Sequence, residues 1–506
     1  MFDQTRARSC AFKKECLDDE RQRRDRASEA SHRVASRRVV DFERALRGVE
    51  SVTSHRARAR RARRRRDARE RVREARALKA RPLARARAMA TLRSWRAFAR
   101  ATSSATSSSA STSCSVTSTS NANASYKFAS AISRKPSMEE ACAEACAKAK
   151  AGARARGRPT WVSVYVTSSY GERSARAGAL VRKLFEGEPK VIGAVVRACV
   201  GGDGQSADGV SVTCAYMPGT EATTFAANDS SLPQLDRGEW RKLVTSSKEG
   251  TSVGAIVLAG AEFVDVDEML ERLHGALPNS VAIGGIVDHG RAMFVDDDVF
   301  THGAVGMLLR GDFELSTHIA HGARPVGPVM SLTHAQGNAV LELDDSPAHP
   351  ALLETLEALP EHSKSLPVML GIGANGARGS FVCRDILSVS ESGAVEVAAV
   401  DLQEGVPVQL HVRDAQWATE QAKKVISRCV TSAKMEDLDV SEGNTVGALI
   451  FACANANRMH ASTFREQLPK VPLGGAYVRS EFGPLVSGVA SSVLSHTSTI
   501  GIFRKK

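Results

Sequence analysis

Hydrophobic and polar positions follow two different periods along the chain after residue 136. Apolar runs such as TWVSVYVTS, SVGAIVLAG and TVGALIFAC predict buried strands, whereas VDVDEMLERLHGAL repeats apolar residues at helical spacing. Three times the order is an apolar strand, a helix that ends near a proline, and a strand that meets glycine. The prolines are Pro189, Pro278 and Pro469, and the glycines are Gly193, Gly284 with Gly285, and Gly474 with Gly475. This recurrence indicates an internal duplication.

Strands that alternate with helices predict α/β units with some parallel pairing. Stretches such as FVCRDILSVSESGAVEVAAV alternate with period two and predict antiparallel hairpins. Further helices are predicted at 137–155, capped by Ser137, and at 414–432, starting with Asp414. We therefore expect a mixed α/β fold of two related halves with mixed sheets, the halves being residues 136–345 and 346–506. The alternative is that the recurrence reflects only the general order of elements in α/β proteins.

The head of the chain has a different composition from the rest. Residues 1–100 carry 32 Lys+Arg and 13 Asp+Glu, whereas residues 101–506 carry 37 and 43. We expect residues 1–88 to form a disordered basic tail, with a nucleic-acid-binding arm or an over-long gene model as alternatives. Because the folded part is mildly acidic, we expect it to have no nucleic-acid partner.

Residues 89–135 are rich in Ser, Ala and Thr with scattered Arg, and no Asp or Glu occurs between Glu74 and Glu139. This composition is typical of an organelle transit peptide, with Met89 as the start. It predicts a chloroplast or other plastid location, with mitochondrion or cytoplasm as alternatives; a plain low-complexity linker is the other interpretation. No apolar run approaches the roughly 20 residues of a membrane helix, so we expect a soluble protein without a membrane partner.

Several short motifs resemble cofactor or metal sites without their full context. GIGANG (371–376) has the glycine spacing of a dinucleotide loop, but a strand-like stretch follows it instead of a helix. HIAH (318–321) lies in a predicted strand, where its two imidazoles point to opposite faces. Cys142 and Cys146 share a helix face, but no second cysteine pair completes a zinc site. We expect neither a cofactor nor a metal.

Polar residues follow the predicted strands of the last 60 residues. Such positions are where open α/β sheets bind ligands, and neighbouring glycines let a ligand approach the main chain. They predict a pocket for a small polar molecule; the alternative is that these charges only solvate a sheet edge. The candidate ligand-binding residues are Asn455, Arg458, Gly474, Gly475, Tyr477, Arg479, Glu481, His496 and Thr499. An enzyme that uses Cys453 or His496 is a further alternative.

The ordered set of motifs from residue 160 to 506 resembles the FIST family. GARPVGP, SLTHAQGNAVLELDDSPA and AIGGIVDHG resemble its N-terminal domain. FVCRDILSV, EGVPVQLHVRDA, GALIFACANANR, VPLGGAYVRSEFGP and HTSTIGIF resemble its C-terminal domain. CANANR, SEFGP and HTST each lack a glycine that the family usually has. Besides candidate residues named above, the family motifs contain Arg324, Pro325, Arg384, Arg413, Asp414 and Gly483.

The resemblance implies an intracellular sensory module that binds small ligands, such as amino acids, and takes part in signal transduction. We therefore expect a non-enzymatic small-ligand sensor, in which no output domain is recognised. Related eukaryotic proteins carry an F-box that docks to ubiquitin-ligase machinery, so the alternative is a protein-interaction adaptor.

Overall fold

The structure is a computed structural model of the 506-residue chain. It describes residues 126–202, 204–228, 240, 252–278, 280–374, 380–390, 392–398, 402–435, 445–453 and 459–506. The basic tail and residues 89–125 of the predicted transit peptide lie outside these residues, as do Asn455 and Arg458. The mixed α/β class is confirmed.

The chain is organised as three structural repeats, in place of the two related halves expected from the sequence. The first comprises β1 (Lys127–Ser133), α1 (Met138–Ala153), β2 (Trp161–Thr167), a 3-10 helix (Ser168–Arg176), α2 (Ala177–Leu184), β3 (Lys190–Val196), β4 (Ala198–Gly201), β5 (Gly204–Ser206) and β6 (Val210–Tyr216). The second comprises β7 (Glu221–Ala227), β8 (Ser252–Ala259), α3 (Val266–Ala276), β9 (Val281–Ile286), β10 (Met293–Val295), β11 (Asp298–Phe300) and β12 (Ala304–Gly311).

The third repeat is interrupted by an insertion. It begins with β13 (Phe313–His321). The insertion comprises β14 (Ala323–Gln336), β15 (Ala339–Leu343), β16 (Ser346–Pro347), α4 (Ala348–Glu357), α5 (Glu361–Lys364), β17 (Val368–Gly373), β18 (Phe381–Val389), β19 (Val395–Val397) and β20 (Pro407–Arg413). The repeat resumes with α6 (Ala415–Met435), β21 (Thr445–Cys453), α7 (Met459–Gln467), β22 (Leu473–Val478), β23 (Ser480–Gly483), β24 (Ser492–Leu494) and β25 (Thr497–Lys505).

Each repeat supplies the first four strands of a six-stranded sheet with one common order. Sheet 1 is β1-β6-β2-β3-β10-β11, sheet 2 is β7-β12-β8-β9-β23-β24, and sheet 3 is β13-β25-β21-β22-β4-β5. The strand pairs β2–β3, β8–β9 and β21–β22 are parallel and are joined by a helix, as the sequence predicted. All other neighbours in these sheets are antiparallel.

The last two strands of every sheet come from a different repeat. Hairpin β4–β5 of the first repeat pairs with β22 in sheet 3, β23–β24 of the third pairs with β9 in sheet 2, and β10–β11 of the second pairs with β3 in sheet 1. The three exchanges form a closed cycle. Each hairpin covers the edge of a parallel strand, whose main-chain groups need partners.

The inner faces of the three sheets form one core. Phe128 and Trp161 of the first repeat pack with Phe503 of the third, with ring centroids 5.2–5.6 Å apart. Ile256 and Met307 of the second repeat belong to the same cluster. The helices cover the outer faces: α1 and α2 on sheet 1, α3 on sheet 2, and α6 and α7 on sheet 3. The sheets are therefore buried on both sides, which explains their nearly continuous apolar sequences.

Helix α1 illustrates why the outer layers form where they do. Its buried residues recur at helical spacing and are small, so the helix packs closely on sheet 1. Ser137 Oγ accepts from Glu140 N at 3.4 Å, which confirms the predicted cap. Asp414 caps α6 in the same way, since its Oδ1 accepts from Trp417 N at 3.0 Å.

The insertion folds as a small antiparallel barrel. Strands β14, β20, β17, β18, β19 and β15 form a closed ring, because β15 pairs back onto β14. Its core is separate from that of the three sheets and includes Leu332, Leu343, Leu370 and Leu410. The boundary expected between residues 345 and 346 lies in the turn between β15 and β16. Strands on both sides of that position share this barrel.

Three boundaries from the sequence analysis are corrected by the structure. The fold begins with β1, before the expected residue 136, because Phe128 and Ile132 of this Ser-rich segment enter the common core. The strands that were predicted to meet Gly193 and the pair Gly474 with Gly475 lie in the segments KVIGAVVRACVGG and VPLGGAYVRSEFG, and each segment forms two strands in two different sheets. The chain changes sheets at Arg197 and at Arg479, where it leaves one parallel pair to join another.

A glycine occupies an equivalent place in each parallel pair. A Cβ on Gly193, Gly284 or Gly475 would lie 1.7–1.9 Å from a carbonyl oxygen of the neighbouring strand. Gly284 and Gly475 also have φ near +140°, which side chains rarely adopt. The glycines that the sequence singled out are therefore required by strand packing.

We predict that Gly475→Ala lowers the free energy of unfolding by about 3 kcal/mol or more, because the added methyl group meets Ile450 O and φ is strained. The urea midpoint of the full chain measures this. Gly275→Ala in α3 is the control, since nothing lies within 4 Å of its Cβ position and alanine favours helix. Equal midpoints for the two variants would contradict the prediction.

Candidate functional site

The three positions where the chain changes sheets carry charged residues. Arg197, Asp288 and Arg479 each lie four residues after the packing glycine of their repeat. Arg197 donates to both carboxylate oxygens of Asp288, from Nε at 2.6 Å and from Nη2 at 2.8 Å. The main-chain N of Arg479 donates to Ile286 O at 2.7 Å. These residues lie at the carboxyl ends of parallel strands, where α/β sheets bind ligands.

A carboxylate of the barrel meets the third repeat at this end. His496 Nε2 lies 2.7 Å from Asp385 Oδ1, and the Asp385 side chain, on β18, is 57% exposed. The hydrogen bond from His496 lowers the pKa of Asp385 most, and the positive charges of Arg413 and Arg479 lower it further. We call Asp385, Arg413, Arg479 and His496 the junction cluster. It combines one exposed carboxylate with two arginines and a buried histidine.

The imidazole of His496 is held by its surroundings. The residue has φ +57° and is only 3% exposed, and its carbonyl accepts from Gly322 N at 2.7 Å. Because Nε2 faces the Asp385 carboxylate, Nε2 carries the proton. Nδ1 is buried and has no hydrogen-bond partner within the described residues.

Glu481 lies behind His496 and has no exposed surface. Its Oε1 accepts from Thr497 N at 2.6 Å and from the Thr497 hydroxyl. Its Oε2 is buried without a partner among the residues that the structure describes. Burial raises the pKa of Glu481 well above its usual value, so its neutral form is favoured. Glu481 is therefore a positioning residue that fixes Thr497, next to His496.

The other candidate residues near the glycine pair are buried in sheet 3. The Tyr477 hydroxyl donates to Gln205 Oε1 of β5. A Cβ on Gly474 would lie 1.9 Å from Thr213 Oγ1, and one on Gly483 would lie 3.0 Å from Thr499 Oγ1. The space in front of these glycines is thus filled by the protein, and their close contacts are between strands.

Two of the family-motif residues fasten the barrel to helix α6. Arg324 donates from Nε to Asp414 Oδ2 at 3.2 Å and from Nη2 to Ser363 Oγ at 2.8 Å. Pro325 lies opposite His411 on β20. Arg324 thus joins α5 of the barrel to the residue that caps α6, which is a structural role.

Arg384 links the barrel to the second and third repeats. Its Nη1 donates to Val493 O at 3.2 Å, and Val493 N donates to Asp267 Oδ1 of α3 at 2.9 Å. Burial lowers the pKa of Arg384, and the charge of Asp267 opposes this shift. Adjacent residues Arg384 and Asp385 therefore both contact the third repeat.

The contacts of Cys453 and His496 do not form a catalytic pair. Cys453 Sγ donates to Arg479 O at 3.3 Å, whereas His496 Nε2 bonds Asp385. A nucleophilic cysteine needs a base within hydrogen-bond reach of its sulfur, and His496 Nδ1 has no partner in the described part of the chain. These contacts do not favour the enzyme alternative.

The described parts of the motifs that resembled metal or cofactor sites lie within strands and a helix. His318 and His321 lie on β13, and burial lowers the pKa of each to about 4. Burial raises the pKa of Cys142 to about 12. The GIGANG segment begins in β17 and leads into β18, its antiparallel neighbour. Within the described ranges, no group of three or more His, Cys, Asp or Glu side chains is arranged to hold a metal ion. No helix in those ranges is long and apolar enough to cross a membrane.

The sequence analysis missed Asp385, Arg197 and Asp288. Asp385 follows Arg384 in the motif FVCRDILSV, but its importance comes from a contact with a residue 111 positions away. Arg197 and Asp288 had a signal that was overlooked, namely their constant distance from the packing glycines. Aligning the three repeats on those glycines would have placed both beside Arg479.

The chain is similar to known protein families and to uncharacterized mycobacterial proteins. The FIST N domain matches residues 160–346, and the FIST C domain matches residues 348–484. An uncharacterized protein of Mycobacterium bovis is 27% identical over 370 residues, which are 68% of this chain and 90% of the relative. An uncharacterized protein of Mycobacterium tuberculosis is 30% identical over 238 residues, 43% of this chain and 60% of the relative.

The raised pKa of Glu481 should make the free energy of unfolding of the natural chain fall as pH rises. We predict that Glu481→Gln abolishes this part of the pH dependence. Below the unfolded pKa near 4.5, Glu481 is neutral in both states. Above it, the carboxyl ionises in the unfolded chain but stays protonated in the folded one. The free energy of unfolding therefore falls by at most about 1.4 kcal/mol for each pH unit. This ends where pH passes the raised folded pKa. Glutamine cannot ionise, and it keeps an acceptor for Thr497.

Urea midpoints between pH 5 and 8 test this prediction. The advantage of Glu481→Gln over the natural chain should grow with pH. Glu404→Gln is the control, because a hydrogen bond from Ala335 N and one from His334 lower the pKa of that exposed carboxyl. A Glu481→Gln variant with the same pH profile as the natural chain would show that burial does not govern this group.

Proposed function

The chain belongs to the FIST family, and from this premise we propose that it is a sensory protein that binds a small polar ligand at the junction cluster. The observation that carries the proposal is the hydrogen bond between His496 and Asp385, with the positive charge of Arg479 acting on the same carboxylate, at the carboxyl ends of the parallel strands. Convergent polar groups at such a position, held by a rigid fold, suit ligand binding.

Binding without chemical conversion fits the roles of these side chains. Asp385 is kept ionised by His496 and two arginines, and Cys453 is engaged with main chain. A general acid or base works best with a pKa near the working pH, whereas the pKa of Asp385 is lowered. The cluster therefore offers fixed charges and donors, which suit recognition better than proton transfer.

The location of the cluster supplies a route from binding to signalling. Asp385 and Arg413 belong to the barrel, whereas Arg479 and His496 belong to the third repeat. A ligand that contacts both would favour one placement of the barrel over others, by its difference in affinity for them. The sensory role proposed here consists of this population shift.

The adaptor function and the plastid location stay predictions. An adaptor would present the same surface to a polypeptide, and co-purification of ubiquitin-ligase subunits would favour it. Sequencing the N-terminus of the mature protein, together with its compartment, would test the transit peptide.

We predict that Arg479→Ala weakens ligand binding about ten- to a hundredfold, because hydrogen bonds to charged groups contribute about 1.5–3 kcal/mol. Thermal-shift screening of the full chain against small polar metabolites would find the ligand, and calorimetry would give its affinity. Arg156→Ala is the control, since Arg156 is also exposed but precedes β2, at the amino end of its parallel pair. A reproducible ligand that binds Arg479→Ala as tightly as the natural chain would place the site elsewhere.

A further inference from the structure

Asp385 is surrounded by groups that recognise carboxylates. The Nε2–H of His496 lies 2.7 Å from its Oδ1, and the charges of Arg413 and Arg479 act on it from two further segments. Arg413 belongs to the barrel, whereas Arg479 and His496 belong to the third repeat. Imidazole and guanidinium groups are the usual protein partners of a carboxylate. His496 Nε2–H thus binds the Asp385 carboxylate directly, and Arg413 and Arg479 contribute the longer-range attraction of their positive charges.

The carboxylate is the accessible member of the pair. The Asp385 side chain is 57% exposed, whereas that of His496 is 3% exposed. On the exposed side of the pair, water competes for the Asp385 carboxylate and offsets part of the free energy needed to release it. Its release would leave the buried Nε2–H of His496 without an acceptor, so another carboxylate that takes its place restores that hydrogen bond. The exposure of Asp385 therefore allows a dissolved carboxylate to compete for its place.

The donors would stay in position during such an exchange. His496 is fixed through its carbonyl, which accepts from Gly322 N, and through Thr497, which is bound by the buried Glu481. The main-chain N of Arg479 donates to Ile286 O, which fixes the backbone from which its exposed guanidinium extends. A receptor whose donors are already ordered loses less entropy on binding. The Asp385 side chain is therefore the member of the pair that is free to leave.

We propose that Asp385 is an internal competitor: its side chain takes the place, beside His496 and Arg479, of a carboxylate that belongs to the ligand. The ligand class is thus a small carboxylate, and its binding releases Asp385 from the third repeat. Arg384 keeps its own bond to Val493 O, so the barrel stays attached at the neighbouring residue. This inference rests on the proposed function and adds to it the class of ligand and the bond that changes.

Calorimetric titration of the full chain and of Asp385→Ala and Asp385→Asn tests the proposal. The probes are sodium acetate, sodium succinate and glycine, with sodium phosphate and sodium chloride at equal ionic strength. Removing the competitor should tighten carboxylate binding about tenfold in Asp385→Ala, which corresponds to about 1.4 kcal/mol. Asp385→Asn should show a smaller gain, because it loses the charge but its amide oxygen can still accept from His496 Nε2. Asparagine has nearly the same volume as aspartate. A gain in carboxylate affinity in this variant therefore cannot come from the ligand filling a cavity that the substitution created. In the double variant that carries both Asp385→Asn and Arg479→Ala, the gain in carboxylate affinity should be lost.

Glu404→Gln is the matched control, because Glu404 is an exposed barrel carboxylate 2.9 Å from His334 Nδ1. It should leave carboxylate affinity unchanged. Equal gains in Glu404→Gln and Asp385→Asn, or no gain in either Asp385 variant, would overturn the proposal. A larger gain for phosphate than for the carboxylates would overturn the ligand class. A ligand whose binding needs Arg479 but ignores Asp385 would leave the proposed function intact and refute only this inference.

Discussion

The structure depends on covering the open edge of each parallel strand pair. Within one repeat, the second strand of the pair has a free edge, and its unpaired main-chain groups would be costly if buried alone. In all three sheets a hairpin of another repeat supplies the partners, and the exchanges close a cycle. No repeat completes its own sheet. The regions that match the FIST N and FIST C domains are therefore interleaved, since β4 completes sheet 3 and β23 completes sheet 2.

This exchange also determines where the charged residues lie. To pass from one sheet to the next, the chain must leave its parallel partner shortly after the packing glycine. The residue at that point is Arg197, Asp288 or Arg479, and it cannot continue the apolar strand. The same constraint that closes the core thus places polar side chains at the carboxyl ends of the strands. The junction cluster is built on this consequence of the fold.

Much of the fold was predictable because local patterns carried it. The parallel pairs, their helices and the caps at Ser137 and Asp414 all followed from apolar period and end residues. The hairpin exchange was not predictable, because apolar residues lie on both sides of Arg197. This pattern would be the same for one continuous strand and for two strands in different sheets. Asp385 was missed for a similar reason, since its pairing with His496 joins distant segments. Local sequence determines the elements, and long-range pairing determines the site.

The three repeats are not equivalent in charge, and the difference accounts for the location of the site. Arg197 and Asp288 neutralise each other directly, so the positions of the first and second repeats form a closed pair. At the third position, the negative charge near Arg479 comes from Asp385 of the inserted barrel. The insertion lies in this same repeat, between β13 and α6. Among the residues that the structure describes, Arg479 of the third repeat forms no ion pair with the other two repeats, and the inserted barrel is a second folded part that can respond when the charge near Arg479 changes.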